Sequence, residues 1–137
     1  MSSISEIIIN SRITNTKVNI PDKKKKNIRI SEGYKIQNTV FEFFQKNNAY
    51  TGWKIGCATP VMQEYLNINS PCLGRVMKKN IYSKTNSVDF DHFIHPGVEC
   101  EIAVKLSENF SYKKKIKDLN DIVEKIVPSI EIVDDRW

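Results

Sequence analysis

Gly97-Val98-Glu99-Cys100-Glu101-Ile102-Ala103-Val104-Lys105-Leu106 alternates in side-chain character with a period of two. Val98, Cys100, Ile102, Val104 and Leu106 fall on one side, and Glu99, Glu101, Ala103 and Lys105 on the other. Successive strand residues point to opposite faces, so this stretch predicts a strand with one apolar and one polar face. Cys100, between two glutamates, reads as a small buried thiol on the apolar side.

The flanking sequence sets the class. Downstream, Ile116, Leu119, Ile122, Val123 and Ile126 recur at helical spacing, which predicts a helix over 112–127 stopped by Pro128. Residues 129–133 (SIEIV) read as a last strand. Upstream, residues 4–12 predict a short helix and 14–30 a polar connection. A second helix over 31–46 has Ser31 as its N-cap candidate and Tyr34, Val40, Phe41 and Phe44 as its apolar face, with Asn47-Asn48 ending it. Residues 51–57 (TGWKIGC) read as a strand with Lys54 on the face opposite Trp53 and Ile55. Thr59-Pro60 opens a short helix to 66. Residues 67–74 are turn-rich, 75–80 extended and 83–91 a polar loop. Strands and helices in this order predict an α+β domain.

The bulk numbers narrow the function classes. A chain of 137 residues has the length of one domain, and no apolar run reaches the ~20 residues that span a bilayer. The N-terminus lacks a basic region and a cleavage-type end, so no signal peptide is expected. Three cysteines, Cys57, Cys72 and Cys100, include no CxxC pair and support neither a disulfide framework nor a zinc knuckle. A reducing cytoplasm is the expected location. The net charge of +5 raises a nucleic-acid hypothesis. However, Lys23-Lys24-Lys25-Lys26 has no aromatic residues interleaved for base stacking, and Lys113-Lys114-Lys115-Lys117 reads as the wet face of a helix. No nucleic-acid or membrane partner is expected.

The polar face carries the chemistry. Glu99 and Glu101 lie on one side of a strand, about 7 Å apart along it, and Glu131 stands in another strand between Ile130 and Ile132. Such carboxylates could converge on one hard cation, Mg²⁺ or Mn²⁺ rather than Zn²⁺. An E-x-E on a strand is also the common appearance of a solvated sheet face, and spacing alone leaves both readings open. Lys54 is equally two-sided: a wet-face lysine, or a proton donor whose pKa is lowered by burial and a nearby cation.

Five segments in order are similar to a known family. They are Tyr34-Lys35-Ile36-Gln37, Gly52-Trp53-Lys54-Ile55-Gly56, Pro71-Cys72-Leu73-Gly74, residues 96–103 (PGVECEIA) and residues 128–134 (PSIEIVD). Together they resemble the 2-keto-4-pentenoate hydratase branch of the fumarylacetoacetate hydrolase family, over nearly the whole chain. The resemblance implies a metal site at Glu99, Glu101 and Glu131, with Lys54 as the catalytic lysine of the G-x-K-x-G segment. It implies Mg²⁺ (or Mn²⁺) and a hydratase-like lyase acting on a small-molecule 2-oxo acid in aromatic catabolism. Substrate-binding residues stay unassigned. The implied fold is a small helical N-terminal part, 1–50, followed by part of a mixed β-roll, 51–137, in a homo-oligomer. Many hydratases of this branch carry an acidic residue before the glycine where this chain has Cys72-Leu73-Gly74, which leaves decarboxylase or C–C hydrolase chemistry open. Relatives run to roughly twice this length, so a truncated, catalytically silent or partner-completed chain is a further expectation.

Overall fold

The fold was analysed in a computed structural model that describes residues 3–25, 28–46, 49–82, 87–107 and 118–137. The chain divides into two compact units, Met1–Asp89 and Phe90–Trp137.

The first unit opens with α1 (Ile4–Thr14), held by a capping box. Ser3 Oγ accepts from the Glu6 N–H at 3.2 Å, and the Glu6 carboxylate accepts from the Ser3 N–H at 2.6 Å. Two helix-end donors are thereby satisfied reciprocally. Asn15 closes the helix in the left-handed region, at φ 50°. The polar connection that follows contains one helical turn, α2 (Asp22–Lys25), and supplies two core residues, Val18 and Ile20. They are buried with Val40 and Phe41 of α3 (Ile30–Gln45) and with Met77. Helix α3 starts two residues earlier than the Ser31 expectation: Arg29 is the N-cap, and its N–H is taken by the Glu32 carboxylate at 2.9 Å. The Glu32 N–H that a hydroxyl cap would serve is donated to the Arg29 carbonyl at 2.9 Å.

Two antiparallel strands complete this unit, β1 (Tyr50–Gly56) and β2 (Cys72–Met77). The short α4 (Pro60–Tyr65) lies between them, with Thr59 Oγ1 accepting from Met62 N–H and proline at the helix start. Tyr34 and Gln37, one turn apart on α3, grip the same residue of β2. Tyr34 Oη accepts from the Leu73 N–H and Gln37 Nε2 donates to the Leu73 carbonyl, each at 3.0 Å. These side chains occupy the outer edge of β2 at that point, where unpaired backbone groups would otherwise face solvent.

The second unit is an antiparallel ladder of β3 (Pro96–Leu106) and β4 (Val123–Asp134). The predicted β3 is present. The predicted helix over 112–127 is not: Leu119–Asp121 is a single 3₁₀ turn and residues 123–127 belong to β4. Residues 112–117 of that helix lie outside the described residues, as do the lysines at 113–117, Lys26, Asn47-Asn48 and positions 83–86 of the polar loop. The spacing of Val123, Ile126 and Val127 suits a helix, but all three are β-branched and find partners across the ladder at Leu106, Val104 and Ala103. Pairing with an 11-residue strand overrides local periodicity. Pro128 therefore sits within the strand, opposite Ile102. A two-stranded ladder leaves each strand an outer edge on which a missing N–H costs nothing.

Cys100 is exposed, not buried. It shares its face with Val98, Ile102 and Ile130, which are 70–73% exposed.

Candidate metal centre

The ladder register decides which carboxylates meet. Glu99 is paired directly with Glu131, and Glu101 with Ser129. Residues opposite one another on antiparallel strands project to the same face with Cβ atoms about 5 Å apart. The period of two adds Glu101 to that face. Glu99, Glu101 and Glu131 each offer a carboxylate oxygen within 4.8 Å of the other two. Glu99 is exposed, whereas Glu101 and Glu131 are half-buried.

Like charges directly opposed across a ladder are destabilising. The same face carries two lysines, Lys105 opposite Lys125. They begin four residues beyond Glu101, about 13 Å along the strand. Lys105 is paired with the Glu124 carboxylate, at 2.5 Å. Three anionic oxygens, no nitrogen or sulfur donor and partial exposure make a hard-cation donor set. The 4.8 Å spread matches oxygens placed around one ion at metal–oxygen distances of about 2.0–2.6 Å. The residues fit a divalent oxygen-seeking cation.

Two glycines shape the neighbourhood of the named side chains. Gly97 lies opposite Val133, on the glutamate face and two rungs from Glu99–Glu131. A Cβ there would come to 3.0 Å from Val133 Cγ2. In the first unit Lys54 pairs with Gly74, and a Cβ on Gly74 would come to 3.2 Å from Lys54 Cγ. The lysine stem therefore runs across the bare glycine backbone. Lys54 is half-buried while Trp53 and Ile55, on the other face, are 55% and 59% exposed. Arg75 lies opposite Trp53, its guanidinium 5.3 Å from that ring and 4.4 Å from Phe41, a doubled cation–π contact.

Asp134 closes β4. Its Oδ1 accepts from the backbone N–H groups of Ile94 and His95, both at 2.8 Å, and its Oδ2 lies 2.8 Å from Arg136 Nη2. The two side chains are only 12% and 20% exposed. Burial pushes the Asp134 pKa up. The two N–H groups and the Arg136 guanidinium outweigh it and hold the carboxyl below its usual value of 3.8. Asp134 thus ties the end of β4 to the turn that starts β3, and so holds the register that opposes Glu99 to Glu131.

No family profile matches the sequence. Among curated proteins, the chain is 31% identical over 86 residues to a 2-keto-4-pentenoate hydratase of Burkholderia vietnamiensis, covering 62% of this chain and 33% of that protein. Among solved structures it is similar to 4-oxalocrotonate decarboxylase from Pseudomonas putida G7, with a TM-score of 0.81 at 19% identity. That match covers 98% of this chain and 52% of the other. The decarboxylase was solved with calcium and acetate, and with magnesium and adipate. The chain spans between a third and about half of the length of these proteins. The fold over the matched span is that of the decarboxylase, and the chain resembles the 2-keto-4-pentenoate hydratase branch of the fumarylacetoacetate hydrolase family.

Proposed function

We propose that Glu99, Glu101 and Glu131 bind Mg²⁺ or Mn²⁺, and that the chain supplies this site to a hydratase-like lyase acting on a 2-oxo acid. The observation that carries the reading is the meeting of three carboxylates on one sheet face. When bound, the ion supplies Lewis-acid stabilisation of the negative charge that develops on a 2-oxo oxygen. The protein's own contribution begins with the ladder, which presents Glu99 and Glu131 as a direct pair and Glu101 one step along. The exposure of Glu99 leaves that side open to a small acid. Lys54 is assigned proton transfer at Nζ on the family resemblance, and its passage over Gly74 limits the directions its stem can take.

Residues 1–50 would be the helical region and 51–137 part of a mixed β-roll. A cytoplasmic homo-oligomer handling a small-molecule substrate completes the proposal. No described helix is long and apolar enough to cross a membrane. A second reading, 2-oxo acid decarboxylation, has its own support in the likeness to 4-oxalocrotonate decarboxylase, while Cys72-Leu73 before Gly74 leaves both decarboxylase and C–C hydrolase chemistry open.

Calorimetric titration of the chain with Mn²⁺ tests the site, and Mg²⁺-dependent loss of a 2-hydroxydienoate's absorbance tests the reaction. One ion per chain is expected. The substitution Glu101→Gln should weaken binding more than the ~10–100-fold typical of groups behind the ligands. Unchanged Mn²⁺ affinity in Glu101→Gln would overturn the assignment. Carbon dioxide release in place of hydration would select the second reading.

A further inference from the structure

The end of β1 and the start of β2 bring two cysteines together. Gly56 is paired with Cys72, and Cys57 follows Gly56. Both backbone groups of Leu73 are turned to α3, so the Leu73–Ile55 rung is one without mutual backbone hydrogen bonds. In an antiparallel ladder the rungs alternate, which makes Gly56–Cys72 a hydrogen-bonded rung with Cα atoms about 5.5 Å apart. Just beyond it, Cys57 adopts the left-handed region, at φ 55°, which departs from the regular alternation of the strand. Gln63 Nε2, from α4, donates to the Cys57 carbonyl at 3.0 Å and braces that turn. The Cys57 and Cys72 thiols are near enough for each to feel the other's charge. Cys57 is half-buried and Cys72 exposed.

We propose that Cys57 and Cys72 form a reversible intrachain disulfide, made and broken by exchange with small-molecule disulfides and thiols. Disulfides require Cα separations of about 4.4–6.8 Å and converging Cβ vectors. Cys57 stands next to the Gly56–Cys72 rung, and its left-handed backbone breaks the strand alternation that would otherwise send its side chain to the face opposite Cys72. Cys72, being exposed, meets the oxidant. Its thiolate attacks one sulfur of the small disulfide R–S–S–R, forming a mixed disulfide and releasing one RSH. The Cys57 thiolate then attacks Cys72 Sγ, forming the protein disulfide and releasing the second RSH. Two cysteine thiols lose two electrons and two protons, and the small disulfide gains both. Desolvation and the adjacent Cys57 sulfur raise the Cys72 pKa above its ordinary value of 9.0. The thiolate is the attacking species, so the first step speeds up as pH rises through the alkaline range.

The bridge would close the segment 58–71, which contains α4, and would pin the strands that hold Lys54 over Gly74. It is independent of the metal reading, since it uses none of the three glutamates. Cys100, in the other unit, is the internal control.

The experiment incubates the full chain with oxidised glutathione, traps free thiols by alkylation and maps peptides without reduction. Two of the three thiols should disappear together, giving a Cys57–Cys72 linked peptide pair with no glutathione retained and full reversal by dithiothreitol. In a fixed glutathione buffer, the folded chain should hold at least ~10 times more of this bridge than the urea-unfolded chain, the ratio by which the fold favours the pair. Cys57→Ser should stop at a glutathione adduct on Cys72, and Cys100→Ser should behave as wild type. A wild-type chain that stops at the mixed disulfide would overturn the proposal. So would a chain that links Cys100 instead, or one that forms the bridge equally well in urea.

Discussion

Replacing Asp134 with asparagine removes a charge while keeping an oxygen near the Ile94 and His95 N–H groups. In the parent both donors lie 2.8 Å from the carboxylate, and Arg136 stands at 2.8 Å from the second oxygen. A hydrogen bond to a charged acceptor contributes about 1 kcal/mol more than one to a neutral acceptor, so two such bonds lose about 2 kcal/mol. Arg136, one-fifth exposed, loses its counter-ion at a further cost of about 1 kcal/mol after allowance for solvent screening. The total of about 3 kcal/mol is a large share of the 5–15 kcal/mol that stabilises a typical domain. At a slope of about 1.5–2 kcal/mol/M it shifts the urea midpoint down by about 1.5–2 M. The assay is urea unfolding followed by Trp137 fluorescence in a Trp53→Phe background, so that the signal comes from the second unit. The pH dependence has a definite sign. The folded pKa of Asp134 lies below the usual value of 3.8. Its stabilisation is therefore complete above that value and is lost as pH falls through the folded pKa. Asp134→Asn should flatten this acid-side decline. A variant within about 0.5 kcal/mol of the parent, or one keeping the parent's full acid dependence, would refute the clamp.

Two further substitutions probe the first unit. Gly74→Ala places a methyl 3.2 Å from Lys54 Cγ, so the stem must yield by a few tenths of an ångström. The expected cost is under about 1 kcal/mol in stability, with turnover lowered and Mn²⁺ affinity unchanged; unaltered turnover would remove the glycine from Lys54's positioning. Tyr34→Phe deletes the acceptor for the Leu73 N–H and should cost about 1 kcal/mol in urea unfolding. Its effect should be non-additive with that of Gln37→Leu, because both side chains hold the same residue; strict additivity would deny the paired grip.

How much of this was legible beforehand differs by residue. The alternation over 97–106 was enough to predict β3 and to place Glu99 and Glu101 on one side, because the period of two is a local property of extended backbone. The Thr59-Pro60 helix start and the α3 apolar residues Val40 and Phe41 were likewise local signals. The segment 123–127 was not. Its spacing fits a helix, and only the long-range partner strand makes extended backbone the lower-energy state. The burial of Val18 and Ile20 escaped notice for a related reason: two apolar residues in a polar connection carry no period, and their value depends on the helices that cover them.

The carboxylates divide along the same line. Sequence by itself determined that two glutamates share a face of β3 and that a third sits among isoleucines. It could not distinguish a solvated E-x-E from a convergent one, since that depends on which residue lies opposite. The tertiary structure decided it by register: Glu131 falls opposite Glu99, not one position away, where it would point to the other side. A one-residue slip reverses every side chain of a strand. That choice depends on contacts at both ends of the ladder, including the Asp134 grip on Ile94 and His95, and no local pattern encodes it.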